Sequence, residues 1–282
     1  MRDAQRIPAG VGLANALVVL GQSIAAHRFI LRGLVRNEIL MRYSNTMLGV
    51  VWSLINPLVM ILIYSFVFGI IFEVRFGHTA GASDIPYGIV LFSGLVLHVF
   101  MSETLLRAQS VILDNPNYVK RVIFPLEMLP LSILLANMVQ AGVALLVLMT
   151  VILIAGFSIP ATALLLPIVW TPFMVIVLGL AMIFASLGVF VRDIGQVLGF
   201  LMTILLFGST ILFPSDMLPE LLRPWLMLNP LTVIVDQSRA VLLWGELPDW
   251  RLLGWYSLVA LTVFWLGSWW FLRTRSGFAD VM

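Results

Sequence analysis

Few residues in this chain have the types and the spacing that chemistry requires. His98 and Glu103 lie within one long apolar stretch, and a carboxylate inside a stretch that can span a membrane is a candidate for proton coupling. Glu103 also precedes Arg107 by one helical turn, a spacing that favours an ion pair near the membrane surface. The sequence leaves both interpretations open.

A second group consists of aromatic side chains along the preceding apolar stretch. Trp52, Tyr64 and Phe68 are spaced so that they could share one face of a helix. Such a face can stack against the CH groups of sugar rings while its polar tips form hydrogen bonds. It can equally face lipid or pack against a neighbouring helix, so a glycan path and a packing surface are alternative predictions.

The motifs of common hydrolases and nucleotide-binding domains do not occur. The sequence has no Gly-x-x-x-x-Gly-Lys-[Ser/Thr] loop, no His-Glu-x-x-His and no Gly-x-Ser-x-Gly. It has no cysteine, and its three histidines lie far apart, which excludes thiol chemistry and disfavours a metal site. We therefore expect no catalytic residues, metal or cofactor in this chain. A membrane-embedded glycan-processing enzyme would require converging carboxylates or histidines.

The composition indicates the medium in which the chain folds. Of its 282 residues, 61% are hydrophobic and 11% are charged, and the mean hydropathy is +1.06. A water-soluble core of this length could not bury that much apolar surface, so the chain is predicted to be an integral membrane protein. Its formal net charge of +2 is too small to indicate nucleic acid binding.

The hydropathy pattern predicts an all-α membrane protein with six transmembrane helices in a single domain, residues 27–282. An apolar segment of about 20 residues can cross the hydrocarbon core as a helix. The predicted spans are approximately 48–72, 87–106, 129–157, 161–191, 197–213 and 252–272. Residues 214–251 are too charged and too often interrupted to cross, so they are predicted to form short re-entrant or interfacial helices.

The segment 27–43 precedes the first span and is strongly basic. Arg28, Arg32 and Arg36 recur every fourth residue, and Arg42 follows, so the cations and the apolar side chains separate on a helix. This pattern predicts an amphipathic helix that lies in the membrane surface. Residues 1–26 are predicted to be a cytoplasmic arm. A cleaved signal peptide is the alternative, but cleavage would leave these arginines outside.

Positive charge is distributed unevenly between the two sides of a six-span arrangement. If both termini lie on one side, that side carries most of the cations, namely Arg28, Arg32, Arg36, Arg42, Arg107, Lys120, Arg121, Arg192, Arg273 and Arg275. The positive-inside rule then predicts that both termini are cytoplasmic.

Several motifs, in order along the chain, resemble the membrane subunits of ABC-type polysaccharide exporters. The matching runs are Arg42 to Pro57 at the entry to span one, Asn117 to Pro130 with Phe124-Pro125 and Glu127, Arg192-Asp193-Ile194 with Gln196, Phe213-Pro214 with Leu218-Pro219, and Asn229-Pro230 with Arg239. Each motif is weak alone, but their joint order is specific, and the resemblance covers about Arg28 to Met282. The arm at 1–26 is longer than such subunits usually carry.

This resemblance implies a permease that works as a homodimer with two separate ATPase subunits, which would bind ATP and Mg. It implies export of a lipid-linked polysaccharide, most directly O-antigen with capsule or teichoic acid as further cases, across the inner membrane of a bacterium. A related permease for a drug or a lipid is the alternative within transport. A purely structural membrane anchor is disfavoured by the ordered motifs.

The resemblance also implies roles for individual residues. The cytoplasmic elements that couple to the ATPase would be the amphipathic helix and a loop containing Asp114, Asn115, Asn117, Tyr118, Lys120 and Arg121. The glycan path would run near spans one and five, with Trp52, Tyr64, Phe68 and Phe207 as candidates. Lys120 and Arg121 can also serve as topology signals that contact lipid headgroups.

Overall fold

The structure, a computed structural model, describes residues 15–44, 46–71, 85–119, 124–213, 226 and 229–281, and it is helical without strands in those residues. The helices are α1 (Ala16–Ala26), α2 (Arg28–Tyr43), α3 (Trp52–Tyr64), α4 (Tyr87–Ala108), α5 (Pro116–Val119), α6 (Met128–Ile154), α7 (Leu166–Phe190), α8 (Ile194–Phe207), α9 (Pro230–Arg239), α10 (Trp250–Thr274) and α11 (Phe278–Val281). Short stretches of other helix types adjoin some of them. Gly49–Val51, Ala161–Leu165 and Arg275–Gly277 are 3₁₀-helical, and Ser65–Ile71 and Ala240–Trp244 are π-helical. The all-α fold class is confirmed.

Five helical segments in the described part of the chain are long and apolar enough to cross a membrane. They are Gly49–Ile71, Tyr87–Ala108, Met128–Ile154, Ala161–Phe190 and Trp250–Gly277, and they match five predicted spans within a few residues. The fifth predicted span is shorter than expected, because α8 ends at Phe207 after 14 residues, about 21 Å of helix. The number of crossings reaches six if α1 and α2, which meet at a bend of 78°, count as one.

α4 lies at the centre of the bundle, in contact with α3, α6, α7, α8 and α9. Its buried side chains include Leu91, Leu97, Met101 and Leu105, each at most 2% exposed. Every residue from Tyr87 to Leu97 is buried, and such a continuous run covers all sides of a helix, so this part of α4 has no broad face left for lipid.

α7 and α10 form the most extensive helix pair of the structure. A Cβ on Gly179 would lie 2.6 Å from the Cα of Phe264, and one on Gly267 would collide with the Gly179 carbonyl. Small residues at such a crossing let two backbones approach closely, which is how membrane helices gain packing energy.

The amphipathic helix predicted before the first span is present as α2. It packs along α6 with Leu31 buried, whereas Arg28, Arg32 and Arg36 are exposed. α1 precedes it and packs against α10, where Ala16 lies in a small apolar cluster with Leu272. Residues 16–26 of the predicted arm are therefore a packed helix, and residues 1–14 lie outside the described residues.

The short helix predicted between spans five and six is present as α9. Asn229 caps it by accepting a hydrogen bond from the Leu231 amide at 2.9 Å. The same side chain donates to the carbonyls of Leu205 and Gly208, both at 2.8 Å. Asn229 thus fastens the start of α9 to the end of α8, while residues 214–225 lie outside the described residues.

Candidate functional site

A cavity of about 650 Å³ lies between α3, α4 and α6. This is within the usual size range of ligand pockets. Its walls are mainly apolar and aromatic, with Trp52, Met60 and Tyr64 from α3 and Phe92 and Phe100 from α4. All three helices are long and apolar enough to span a membrane, so the cavity opens between membrane-crossing segments.

The polar side chains around this cavity are concentrated where α2 meets α4 and α6. The Arg42 guanidinium forms an ion pair with the Glu103 carboxylate, and the Tyr43 hydroxyl donates to the Gln140 side-chain oxygen at 2.7 Å. Burial raises the pKa of the Tyr43 phenol above its usual value, so the hydroxyl remains protonated and continues to donate at neutral pH. Asn137 donates to Thr104 at 3.1 Å.

The predicted ion pair between Glu103 and Arg107 is wrong. Glu103 pairs with Arg42 of α2, and Arg107 pairs instead with Glu38 of α2 at 2.5 Å. Side chains one turn apart on a helix attract each other only weakly, so a cation supplied by a neighbouring helix can replace the local one. Because Glu103 is already neutralised by an arginine, it is a poor candidate for proton coupling.

His98, the other residue of this span that the sequence marked as a candidate for chemistry, has a structural role. Its Nε2 lies 3.0 Å from the Met202 carbonyl oxygen, which links α4 to α8. Among the residues that the structure describes, no group of three or more His, Cys, Asp or Glu side chains could hold a metal ion.

The chemistry of the cavity suits a neutral, amphipathic ligand. Its ion pair has no net charge, and Asn56, Asn137 and Gln140 offer amide groups for hydrogen bonds. The faces of Trp52 and Tyr64 can stack against apolar rings or chains. A hydroxyl-rich ring with CH faces satisfies both kinds of group.

The structure brings together only part of the predicted glycan path. Trp52 and Tyr64 line the cavity, whereas the Phe68 ring lies 6.3 Å from that of Tyr64 and 5.5 Å from that of Tyr87. Phe207 lies on a different helix, α8, and is 62% exposed. Passage of a glycan along these residues stays a prediction.

The predicted coupling residues that the structure describes form a compact turn after α4. Ser110 donates to the Asp114 carboxylate at 2.7 Å, and the Asn115 side chain donates to the Val111 carbonyl at 2.9 Å. Asp114 and Asn117 are exposed, so both are accessible to a partner. Lys120 and Arg121 lie outside the described residues, and the coupling role of the whole segment stays a prediction.

An apolar cluster beneath this turn joins it to both ends of the chain. Tyr118 stacks on Phe124 with ring centroids 4.3 Å apart. Both rings pack against a buried cluster that includes Leu20 of α1, Phe271 of α10 and Phe278 of α11. The turn, α1 and the C-terminal segment, residues 275–281, therefore lie together at one end of the bundle.

Sequence reasoning assigned no role to two buried charged residues, Glu127 and Arg239. Arg239 is 1% exposed and donates to the carbonyls of Val90, Thr210 and Ile211, the last two at 2.6 and 3.1 Å. Glu127 is fully buried at the start of α6. Both occur within the motifs that carry the family resemblance, which was the available signal, but no spacing rule indicates their partners.

Comparison with known proteins identifies relatives along most of the chain. The family described as "ABC-2 type transporter" matches residues 31–243. The chain is 25% identical over 267 residues to the O-antigen export system permease protein RfbA of Myxococcus xanthus, covering 94% of this chain and 99% of that protein. It is 26% identical over 234 residues to the polysialic acid transport protein KpsM of Escherichia coli, covering 82% and 87%.

Proposed function

Because the chain belongs to the ABC-2 type transporter family, we propose that it is the permease subunit of an ATP-driven exporter of lipid-linked polysaccharide. The observation that carries this proposal is its similarity, over nearly its full length, to a permease named for O-antigen export. A relative named for polysialic acid transport points to the same substrate class. O-antigen is the leading candidate, and a capsular polymer is the next.

The cavity beside α3 supports a sugar substrate over an ion. Trp52 and Tyr64 provide ring faces, and the neighbouring amides provide hydrogen bonds without a net charge. An ion-coupled transporter would instead need several ionisable groups along its path. In this proposal Trp52 and Tyr64 contact sugar units as the polymer passes.

The active assembly contains two copies of this chain and two ATPase subunits in the cytoplasmic membrane of a bacterium. The segment Gly49–Ile71, which contains α3, leaves a surface that a second copy can cover as well as lipid can, because only 11% of its most apolar 18 residues are buried within one chain. α8 is also widely exposed, at Val197, Phe200, Ile204 and Phe207. In this arrangement a hydrated polymer passes between the two copies, alongside α3 and α8 of each. ATP and Mg bind to the ATPase partner, which contacts the turn at 109–119 together with Lys120 and Arg121.

Affinity purification from native membranes in mild detergent tests this proposal. We expect a nucleotide-binding subunit to co-purify in equal amount, and we expect the reconstituted pair to move lipid-linked polysaccharide only when ATP is hydrolysed. A detergent extract containing an unrelated tagged membrane protein is the control. Reproducible recovery of the intact chain without an ATPase would contradict the proposal, and so would ATP-driven movement of a drug or a lipid but not of the glycan.

A further inference from the structure

Glu127 connects three parts of the chain that are distant in sequence. Its carboxylate accepts a hydrogen bond from the Ser23 hydroxyl of α1 at 2.6 Å. The other carboxylate oxygen forms an ion pair at 3.2 Å with the guanidinium of Arg275, which directly follows α10. Glu127 itself stands at the end of the segment that begins with the turn at 109–119, directly before α6.

The burial of Glu127 makes these contacts necessary. The residue is fully buried, and Arg275 is 19% exposed. A carboxylate removed from water is strongly disfavoured unless it is paired and hydrogen bonded. Here side chains supply the partners, so the carboxylate depends on the positions of α1 and the C-terminal segment.

The apolar cluster under the turn provides a second, independent connection between the same elements. Leu20 of α1, Phe124 of the segment before Glu127 and Phe278 of α11 pack in one cluster. Burial of shared apolar surface holds these elements together, while the ion pair and the hydrogen bond fix their relative positions.

We propose that Glu127 is a positioning residue that makes the turn at 109–119, α1 and the C-terminal segment move as one body. The proposal rests on the proposed function, since it concerns how motion of an ATPase partner reaches the rest of the permease. Displacement of the turn moves Glu127, and the hydrogen bond between Glu127 and Ser23 transmits this motion to α1. α1 leads through the bend at His27 directly into α2, whose far end supplies Arg42 and Tyr43 to the cavity.

This route links the turn to the cavity. Val111 and Ile112 of the turn share an apolar cluster with Leu126, the neighbour of Glu127. The route then passes through the hydrogen bond between Glu127 and Ser23 and along α1 and α2 to the ion pair between Arg42 and Glu103. It also gives α1 a role, which is to carry motion from the turn to α2.

Hydrogen exchange on the full-length protein in lipid nanodiscs tests the connection without any ATPase. Arg275→Gln leaves the buried Glu127 carboxylate without its cation. We expect exchange to rise about tenfold or more in both α1 and the turn at 109–119. Arg273→Gln is the matched control, because Arg273 lies over the Trp269 ring and is exposed.

The double variant Glu127→Gln/Arg275→Gln provides a rescue. Two neutral amides remove the unpaired buried charge and can still hydrogen bond, so exchange in both segments should fall below that of Arg275→Gln. If Arg275→Gln does not insert, Ser23→Ala takes its place, because it removes the hydrogen bond from α1 to Glu127. An effect confined to the C-terminal segment, or no larger than that of Arg273→Gln, overturns the proposal.

A second measurement separates positioning from stability. In the complex reconstituted with its ATPase, Arg275→Gln should raise the ATP hydrolysed per polymer exported, whereas Arg273→Gln should not. An unchanged ratio with less folded protein means that Glu127 only stabilises the fold, and it overturns the proposal. Absence of export by the unaltered complex would contradict the proposed function, but the exchange experiment would still decide the role of Glu127.

Discussion

α3 and α4 are neighbouring membrane-crossing helices of similar apolar character with opposite surroundings. In the most apolar window of α4, 78% of the residues are buried within the chain, against 11% for the segment containing α3. α4 contacts α3, α6, α7, α8 and α9, whereas Leu54, Leu58, Leu62 and Phe66 leave much of α3 and its extension exposed. The segment Ala161–Phe190, which contains α7, resembles α4 in this respect, because 61% of its most apolar 18 residues are buried.

The difference predicts how stability and transport are divided in this permease. In a membrane, lipid and protein interior are about equally apolar, so helices associate through close packing and hydrogen bonds. α4 and α7 use this packing to hold the bundle together. α3 contributes less to packing and carries Trp52 and Tyr64 into the cavity, so we expect substitutions in α3 to affect transport more than stability.

The largest loss of stability is expected where the backbones of α7 and α10 touch. In Gly179→Val the new side chain must displace the backbone of Phe264, so α7 and α10 have to separate. We expect a loss of about 4 kcal/mol or more in the free energy of unfolding. Thermal unfolding in detergent, followed by size-exclusion chromatography, measures it.

Gly69→Val is the matched control in the helical extension of α3. A Cβ at Gly69 meets no atom within 4 Å, so this variant should unfold close to the temperature of the unaltered protein. Equal destabilisation by the two substitutions would show that the α3 segment is packed as tightly as α7.

The next largest effect on stability is expected from a leucine-to-alanine substitution on α4, compared with the same substitution on α3. Leu97 of α4 is 1% exposed and Leu62 of α3 is 68% exposed. Leu97→Ala should cost about 2 to 3 kcal/mol, because it removes buried contacts and leaves a cavity. Leu62→Ala should change stability by less than about 0.5 kcal/mol. Chemical denaturation in mixed micelles measures both, and a similar loss at Leu62 would indicate a protein partner on that face.

Substitution of the α3 aromatic residues should have the smallest effect on stability but a clear effect on transport. Trp52→Ala and Tyr64→Ala should each lower ATP-driven export by up to about tenfold, since an aromatic contact contributes about 0.5 to 1.5 kcal/mol. The unfolding free energy should change by no more than about 1 kcal/mol. Trp255→Ala, at an exposed position of α10, is the control for loss of a membrane-facing aromatic ring.

Two outcomes would contradict this assignment of the α3 aromatics. Normal export by both variants would remove Trp52 and Tyr64 from the glycan path. Loss of the protein from the membrane would show instead that these rings are needed for packing.

The sequence by itself determined the features that the bilayer imposes. Five spans were located within a few residues, since a helix must stay apolar for about 30 Å to cross the hydrocarbon core. The amphipathic α2 was predicted from the spacing of Arg28, Arg32 and Arg36. The family was recognised from motifs whose order along the chain is itself a property of sequence.

Only the tertiary structure decided which groups meet. It paired Glu103 with Arg42 and enclosed Arg239 among backbone carbonyls. It ended α8 at Phe207 and placed Trp52 and Tyr64, but not Phe207, beside one cavity. It also joined Glu127 to both ends of the chain. Hydropathy cannot supply this information, because an apolar side chain suits lipid and protein equally well, and the partner of a buried charge is set by contacts between residues distant in sequence.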